Sequence, residues 1–437
     1  VTEPFQIKTA AIVATGDELV DGRNIDTNSA YMADRLTALG VEVVAMFTVG
    51  DDRARLEGVW RDSVACADLV VATGGLGPTA DDLTTETLAE ATGRRLVVDE
   101  TSVERIRNFF RRFGREMPEN NLKQARVPEG AEVIINELGT APGYRLVTSP
   151  GPGDRKAVMV VLPGVPREMC PMFDEQVLPW LAGNSSGRSQ NLTASFQVFG
   201  LSESAIDERL ADLAEDGQVR LGFRASFPTI AVKVSVDRGL GEERMAEAAA
   251  EVSARLGAAI YGQDGETMEA VVGAMLADSG LKLATAESCT GGLIGGRLTS
   301  IPGSSVYYSG GIVAYSDTLK EKVLGVAPMT LSMFGAVSEE TAAEMAQGVC
   351  RLTGADLGLA ITGIAGPGGG TDDKPVGTVV VALFAGQDQE ATARSYRLRG
   401  DREQVRGLTA EIALDWVRRR LSGLDPAGSA PALGRKT

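Results

Sequence analysis

The sequence contains no histidine. That absence excludes Ser-His-Asp and Cys-His catalysis, HExxH zinc sites and any histidine metal ligand supplied by this chain. General bases must be Asp, Glu, Lys, Tyr or a thiolate, and a metal will prefer carboxylate oxygen, hence Mg or Mn. Cysteine is scarce: Cys66, Cys170, Cys289 and Cys350 are far apart and form no CxxC pair, so neither a zinc ribbon nor a dithiol redox motif is available. Positive charge is also short, with 43 Lys and Arg against 59 Asp and Glu and a net charge of −16. Strong nucleic-acid binding is not expected of such a chain, because that affinity rests largely on Lys and Arg. No apolar run approaches the roughly 18 residues of a membrane span. The opening residues run into a strand pattern without the apolar core and cleavage site of a secretory signal. A cytoplasmic protein with no membrane partner is expected.

What is present fits globular domains: 437 residues, 43% apolar and 23% charged. At roughly 150 residues per domain, about three domains are expected. Apolar runs predict strands at 9–14, 41–49, 69–72 and 158–162. Helical patterns at 27–39, 53–66, from about Asp81, and at 167–178 alternate with them. This rhythm implies a mostly parallel α/β sheet covered on both faces. The polar stretch Gly183 to Ser189 marks a boundary. Beyond it, strands at 191–199, 219–223 and 230–236 with helices at 202–213 and 242–256 predict a small α+β unit. A third part opens with a helix at 267–278 and strands at 281–285, 306–314, 357–362 and 377–384. The predicted organisation is 1–182, 185–262 and 263–424, followed by a flexible tail at 425–437.

Three glycine-rich turns each follow a predicted strand of the first domain. They are Thr15-Gly16-Asp17-Glu18 running on to Asn28, Gly74-Gly75-Leu76-Gly77 running on to Thr84, and Pro163-Gly164. In open α/β sheets, ligands bind outside the carboxyl ends of the strands. Glycines there let backbone N–H groups approach a phosphate, and a helix N-terminus favours its charge. Asp81, Asp82 and Glu86 would repel that phosphate unless a divalent cation bridges to it. The competing reading is that Asp81 and Asp82 merely cap the helix.

In the third domain, Ala286-Glu287-Ser288-Cys289-Thr290-Gly291-Gly292 places a hydroxyl at a strand-to-helix turn. The N–H groups that follow Ser288 can form an oxyanion hole for acyl transfer. Without histidine the serine needs another base, and Ser–Lys pairs are a known variant. Lys320 and Lys322 are both candidates. The bland alternative makes Ser288 a helix cap, and Cys289 is the rival nucleophile.

The strings TGDEL, TGGLGPTADDLT and LPGVPREM resemble those of the CinA family, whose first domain is similar to the three-layer molybdopterin-binding fold. The resemblance implies that Gly16, Asp17, Asn28, Gly74, Gly75, Gly77, Thr84, Pro163 and Gly164 face a nucleotide. It further implies that Asp82 and Asp51 face a divalent metal such as Mg, and that the domain is a metal-dependent pyrophosphatase acting on ADP-ribose. AESCTGG, PGSSVYYSGGIVAYSDTLK, GAVSEETAAEMA, ITGIAGPGGG and KPVGTV resemble the PncC-type nicotinamide-nucleotide amidases. That similarity implies Ser288 as nucleophile, Lys320 as base and Tyr315 as a supporting hydroxyl, with no cofactor. It places Thr290, Gly291, Thr362, Gly363, Gly366 and either Arg402 or Arg406 against the substrate. The implied reaction converts nicotinamide mononucleotide (NMN) and water to nicotinate mononucleotide and ammonia. The middle unit has no catalytic motif and is expected to be a spacer or to make a homodimer. Two other classes compete: a non-hydrolytic pterin- or nucleotide-binding protein, and a regulatory partner in competence or the DNA damage response.

Overall fold

The structure is a computed structural model and describes residues 6–148, 156–185, 191–386 and 390–428. The boundary residues 186–189 and the tail from 429 lie outside the described residues. The chain forms two compact units, residues 1–191 and 192–437.

The first unit holds strands β1 (Thr9–Thr15), β2 (Glu42–Val49), β3 (Leu69–Thr73), β4 (Leu96–Val98), β5 (Arg126–Pro128), β6 (Glu132–Ile134), β7 (Gly143–Val147) and β8 (Val158–Leu162). The main sheet runs β2-β1-β3-β8-β7-β6, while β4 and β5 pair separately. β2, β1, β3 and β8 are parallel; β7 and β6 close the edge antiparallel. The parallel strands β3 and β8 are buried throughout, as expected of strands covered on both faces. Alternate residues supply two cores. Ile12, Val71 and Val160 meet Met32, Leu36 and Phe173, whereas Val13, Val70 and Val161 meet Leu56, Trp60 and Leu88. Helix Thr27–Ala38 starts where the Asp26 carboxylate accepts the Ser29 N–H at 2.9 Å, and helix Arg53–Cys66 has the predicted ends.

The helix expected from about Asp81 begins later, at Thr84, behind a Leu83 cap whose side chain makes no capping bond. Asp82 instead accepts the Thr79 N–H at 2.9 Å and the Thr79 hydroxyl. This local side-chain turn competes with helix and keeps both aspartates in the loop. The capping reading of Asp81 and Asp82 is thereby overturned.

The second unit begins with β9 (Asn191–Phe199), β10 (Val219–Ser226), β11 (Thr229–Asp237) and β12 (Ile260–Gln263), ordered β10-β11-β9-β12. Helices Glu203–Leu210 and Gly241–Leu256 cover one face through Ile206, Leu210, Ala248 and Val252. Next come β13 (Leu283–Glu287), β14 (Tyr308–Val313), β15 (Leu357–Gly363), β16 (Thr378–Ala385) and β17 (Thr392–Arg397), ordered β14-β13-β15-β16-β17. β14, β13 and β15 are parallel; β16 and β17 follow antiparallel. Helix Glu339–Thr353 packs Ala342, Met345 and Val349 on Ala360 and Ala382 of one face. Helix Arg402–Leu421 packs Leu408, Ile412 and Trp416 on the other, with a capping box between Asp401 and Gln404.

Phe199 and Tyr261, from the middle sheet, join this last core. Arg418 reaches back to the carbonyls of Ala258 at 2.7 Å and Ile260 at 3.3 Å while paired with Asp415 at 2.7 Å. The expected flexible tail starts too early at 425. Pro426–Gly428 forms a turn whose Ala427 carbonyl is held by Arg394, and the Asp425 carbonyl accepts from Arg419 at 2.8 Å.

Candidate functional site

The described residues hold two constellations, each at the carboxyl ends of parallel strands. In the first unit the ends of β1, β3 and β8 bring the three glycine turns together. Asn28 ties them: its Nδ2 donates to the Thr73 hydroxyl at 3.1 Å and to the Gly164 carbonyl at 2.8 Å. The Thr73 hydroxyl donates in turn to Pro163 O at 2.9 Å, and Gly74 N–H donates to Leu162 O at 3.1 Å. Thr15 and Thr84 share a hydroxyl contact at 3.2 Å beneath Gly75. Gly75 has a φ of +64°, and a Cβ there would strike the Thr84 hydroxyl, so the turn requires glycine. The Asn28 Oδ1 is buried and has no partner among the described residues.

Gly77 and Asp82 line a small cleft with Glu86, Lys123, Arg126 and Tyr144. The Lys123 ammonium lies 2.7 Å from Thr79 O and 3.8 Å from Glu86. On the other side, Asp17 and Asp51 exchange backbone-to-carboxylate bonds of 3.1 and 3.0 Å, while Gly16 N–H donates to Val49 O. Burial pushes the Asp51 carboxyl above its ordinary range, and the nearby charges of Asp17, Glu18 and Asp81 push it the same way. The aspartate whose charge bears on Asp51 from the glycine loop is therefore Asp81, while Asp82 is engaged by Thr79. No three Asp, Glu or Cys side chains stand at metal-ligand spacing among the described residues. The donors are nevertheless hard oxygens of the kind Mg binds together with substrate phosphate.

In the second unit, Ser288 follows β13, Tyr315 and Lys320 follow β14, and Thr362 and Gly363 end β15. Ser288 is buried, and its N–H donates to Ile361 O at 2.9 Å. It is not a cap. The next helix, Leu293–Ser300, begins five residues on, behind Gly292 at φ +91°. The capping function belongs to Glu287, which is 1% exposed. Its carboxylate accepts from Gly292 N at 3.0 Å, Ile294 N at 3.2 Å and Gly295 N at 2.8 Å. These amides are consumed. By contrast, the amides of Cys289 and Thr290 donate to no oxygen among the described residues and flank the Cys289 sulfur. The oxyanion donors expected after Ser288 are thus narrowed to two. The Thr290 hydroxyl is also buried with no partner among the described residues, and Gly291 turns the chain at φ +63°.

Lys320 is 2% exposed, and its ammonium lies 3.3 Å from the exposed Asp317 carboxylate. No hydrogen bond joins Lys320 to Ser288 among the described residues. Burial pushes the Cys289 thiol up to about 12, so it stays protonated and unreactive near neutral pH. The two arginines separate cleanly. Arg402 donates to Tyr315 Oη at 3.1 Å and to Gly366 O at 2.7 Å, linking the loop after β14 to the loop after β15. Arg406 donates to Thr290 O at 2.7 Å and braces the turn behind Ser288. Tyr315 is exposed, whereas Thr362 is buried and donates its hydroxyl to Ala336 O at 2.7 Å.

Sequence reasoning missed the work of Glu287, Asp317 and Lys123. Glu287 stands in the quoted AESCTGG string and Asp317 three residues before Lys320. Lys123 arrives from a distant segment with no motif.

Three family models match in series: "Probable molybdopterin binding domain" over residues 11–183, "Damage-inducible protein CinA KH domain" over 193–262, and "CinA C-terminal domain" over 265–421. The middle stretch contains no Gly-x-x-Gly, the loop with which KH modules clamp a nucleic-acid backbone. A relative in Acetivibrio thermocellus, named as competence-damage inducible, is 44% identical over 94% of this chain and 98% of its own. A CinA-like protein of Geobacter metallireducens is likewise 44% identical, over the same shares of the two chains. A solved competence/damage inducible protein from Agrobacterium tumefaciens is 41% identical over 36% of this chain and 93% of its own, with a TM-score of 0.34. No described helix is long and apolar enough to cross a membrane. The chain is a member of the CinA family, with a molybdopterin-binding-like first domain, a KH-like middle domain and the CinA carboxy-terminal α/β domain.

Proposed function

We propose that the chain hydrolyses the carboxamide of nicotinamide mononucleotide at Ser288. The observation that carries this reading is the buried Ser288, followed in the chain by two amides that donate to no oxygen among the described residues, with a buried lysine following the neighbouring strand. Ser288 Oγ attacks the carboxamide carbon as its proton passes to Lys320 acting as the base. Release of the Asp317 contact frees the lysine for that role. The amides of Cys289 and Thr290 receive the developing oxyanion. Lys320 returns the proton to the departing ammonia, and water then cleaves the acyl-enzyme to nicotinate mononucleotide. Arg402, bridging Tyr315 and Gly366, meets the substrate phosphate, while Arg406 keeps the turn in shape. The test is ammonia release from nicotinamide mononucleotide by Ser288→Ala and Lys320→Ala. Full turnover in either variant would overturn the mechanism.

The first domain supports a second hydrolytic reading, the metal-dependent cleavage of ADP-ribose to AMP and ribose 5-phosphate. The Gly16 and Gly74 N–H groups are held by Val49 O and Leu162 O, so the donors offered to a pyrophosphate would be those of the loop from Gly75 to Gly77. Asp51 and Asp82 would each offer a carboxylate to a divalent cation, which would take the rest of its ligands from phosphate and water. When bound, that cation supplies charge neutralisation for the phosphates. Lys123 and Arg126 add positive charge from the protein itself. AMP formation that persists with divalent cations fully removed would sink the metal role.

A further inference from the structure

Beside the glycine-loop cleft of the first domain lies a second, larger groove of about 370 Å³ that no sequence motif marks. Its walls are one face of helix Glu100–Arg112 and the segment running from β6 to Pro142. The two openings share Pro142, so the groove continues from the cleft where Asp82 and Lys123 stand. Its size falls within the range of small-molecule sites.

The lining is mixed in chemistry rather than merely apolar. Phe109 offers a ring, Arg105 and Arg112 offer guanidinium groups, and Asn108 offers an amide. Arg105 meets Glu137 across the groove at 3.1 Å. The Ser102 hydroxyl, on a residue 2% exposed, has no hydrogen-bond partner among the described residues. A flat heteroaromatic base stacks on an aromatic face, and its ring nitrogens and sugar hydroxyls need polar partners at the edge. This wall supplies both.

We infer that the groove binds the nucleoside end of a nucleotide whose phosphates lie at the glycine loop. The inference rests on the pyrophosphatase reading for its substrate class. It goes beyond that reading in assigning the base and ribose to the face of helix Glu100–Arg112. A diphosphate substrate would then lie across Pro142, with its cleaved bond near Asp82 and its base against Phe109. Phe109→Ala and Arg105→Ala would weaken the hold on the nucleoside while leaving the phosphate apparatus intact.

The experiment is calorimetric titration of the full chain with AMP, alongside ADP-ribose hydrolysis by the same preparations. The expected result is saturable AMP binding to the parent chain, weakened at least tenfold in both Phe109→Ala and Arg105→Ala. Arg107→Ala, on the same exposed helix but outside the groove lining, should bind as the parent does. Undiminished binding in both groove variants, or no AMP binding by the parent, would overturn the assignment. Hydrolysis separates the two readings. A parent that binds AMP in this groove-dependent way yet leaves ADP-ribose intact would refute the pyrophosphatase and leave the nucleoside site standing. Hydrolysis with an unchanged KM in both variants would refute the site and leave the pyrophosphatase standing.

Discussion

Replacing Glu287 by Gln keeps the shape of a buried side chain and removes its charge. In the parent the carboxylate accepts three amides at the start of helix Leu293–Ser300 from a position 1% exposed. Hydrogen bonds to a charged group contribute about 1.5–3 kcal/mol each, against about 1 kcal/mol for neutral ones. The glutamine oxygen retains one or two of the three bonds, while its NH2 faces a remaining N–H and repels it. The net loss is about 2–4 kcal/mol, local to this turn. At 1.4 kcal/mol per factor of ten, the amides of Gly292, Ile294 and Gly295 should exchange with solvent roughly 30- to 1,000-fold faster. Hydrogen exchange followed by mass spectrometry, on a peptide spanning 288–300, reads this directly. Peptides from the first unit serve as the internal reference. Under the proposed mechanism ammonia release should fall in parallel, because the same turn carries Ser288 and the two amides assigned to the oxyanion. Unchanged exchange in Glu287→Gln would show that the carboxylate does not organise the turn.

Four further outcomes are expected. Cys289→Ala should keep most ammonia release, and Lys320→Arg should abolish it because a guanidinium keeps its proton; a dead Cys289→Ala with an active Ser288→Ala would demand a thiolate mechanism instead. Burial raises the Cys289 thiol to about 12 and the Cys350 thiol to about 11, from an ordinary 9.0. Since the folded state then holds protons that the unfolded state releases, stability is fully present below about pH 9 and declines as pH rises toward 12, a slope that urea titrations should find reduced in Cys289→Ala. Asp51→Asn and Asp82→Asn should each reduce metal-dependent AMP formation from ADP-ribose without altering ammonia release, and parallel loss of both activities would contradict separate sites. We also propose a homodimer to which residues 185–262 contribute; light scattering at the mass of one chain at micromolar concentration would rule it out.

The parallel sheets were legible because their strands are short, uniformly apolar and punctuated by glycine. Val158–Leu162 begins and ends where the pattern says, and so does Asn191–Phe199 of the antiparallel middle sheet. Boundaries failed where a side chain competed with the backbone, as Asp82 does by holding Thr79 and delaying the helix to Thr84. The chemistry of Ser288 was visible in its local string, but its electrostatic frame was not. That Glu287 takes three amides depends on the tight turn from residue 288 to residue 292, and the separate partners of Arg402 and Arg406 depend on chain segments 36, 87 and 116 residues away coming together. Helix Glu100–Arg112, with the groove along its side, carries no motif because its contribution is a surface formed with β6 and the loop beyond it.

Helix Arg402–Leu421 acts as a lever. At 1.5 Å per residue, Arg402 and Arg418 stand about 24 Å apart along its axis. One end grips Tyr315 and Gly366 beside the Ser288 constellation, and the other grips the Ala258 and Ile260 carbonyls at the start of the last strand of the middle sheet. A tilt of about one degree about the Arg418 end moves the Arg402 end by about 0.4 Å, close to the roughly 0.5 Å within which catalytic groups must be held. The middle sheet is therefore a fulcrum. Its seating against this helix sets the alignment of Arg402, so under the proposed function the middle module bears on the precision of a reaction carried out in the next domain.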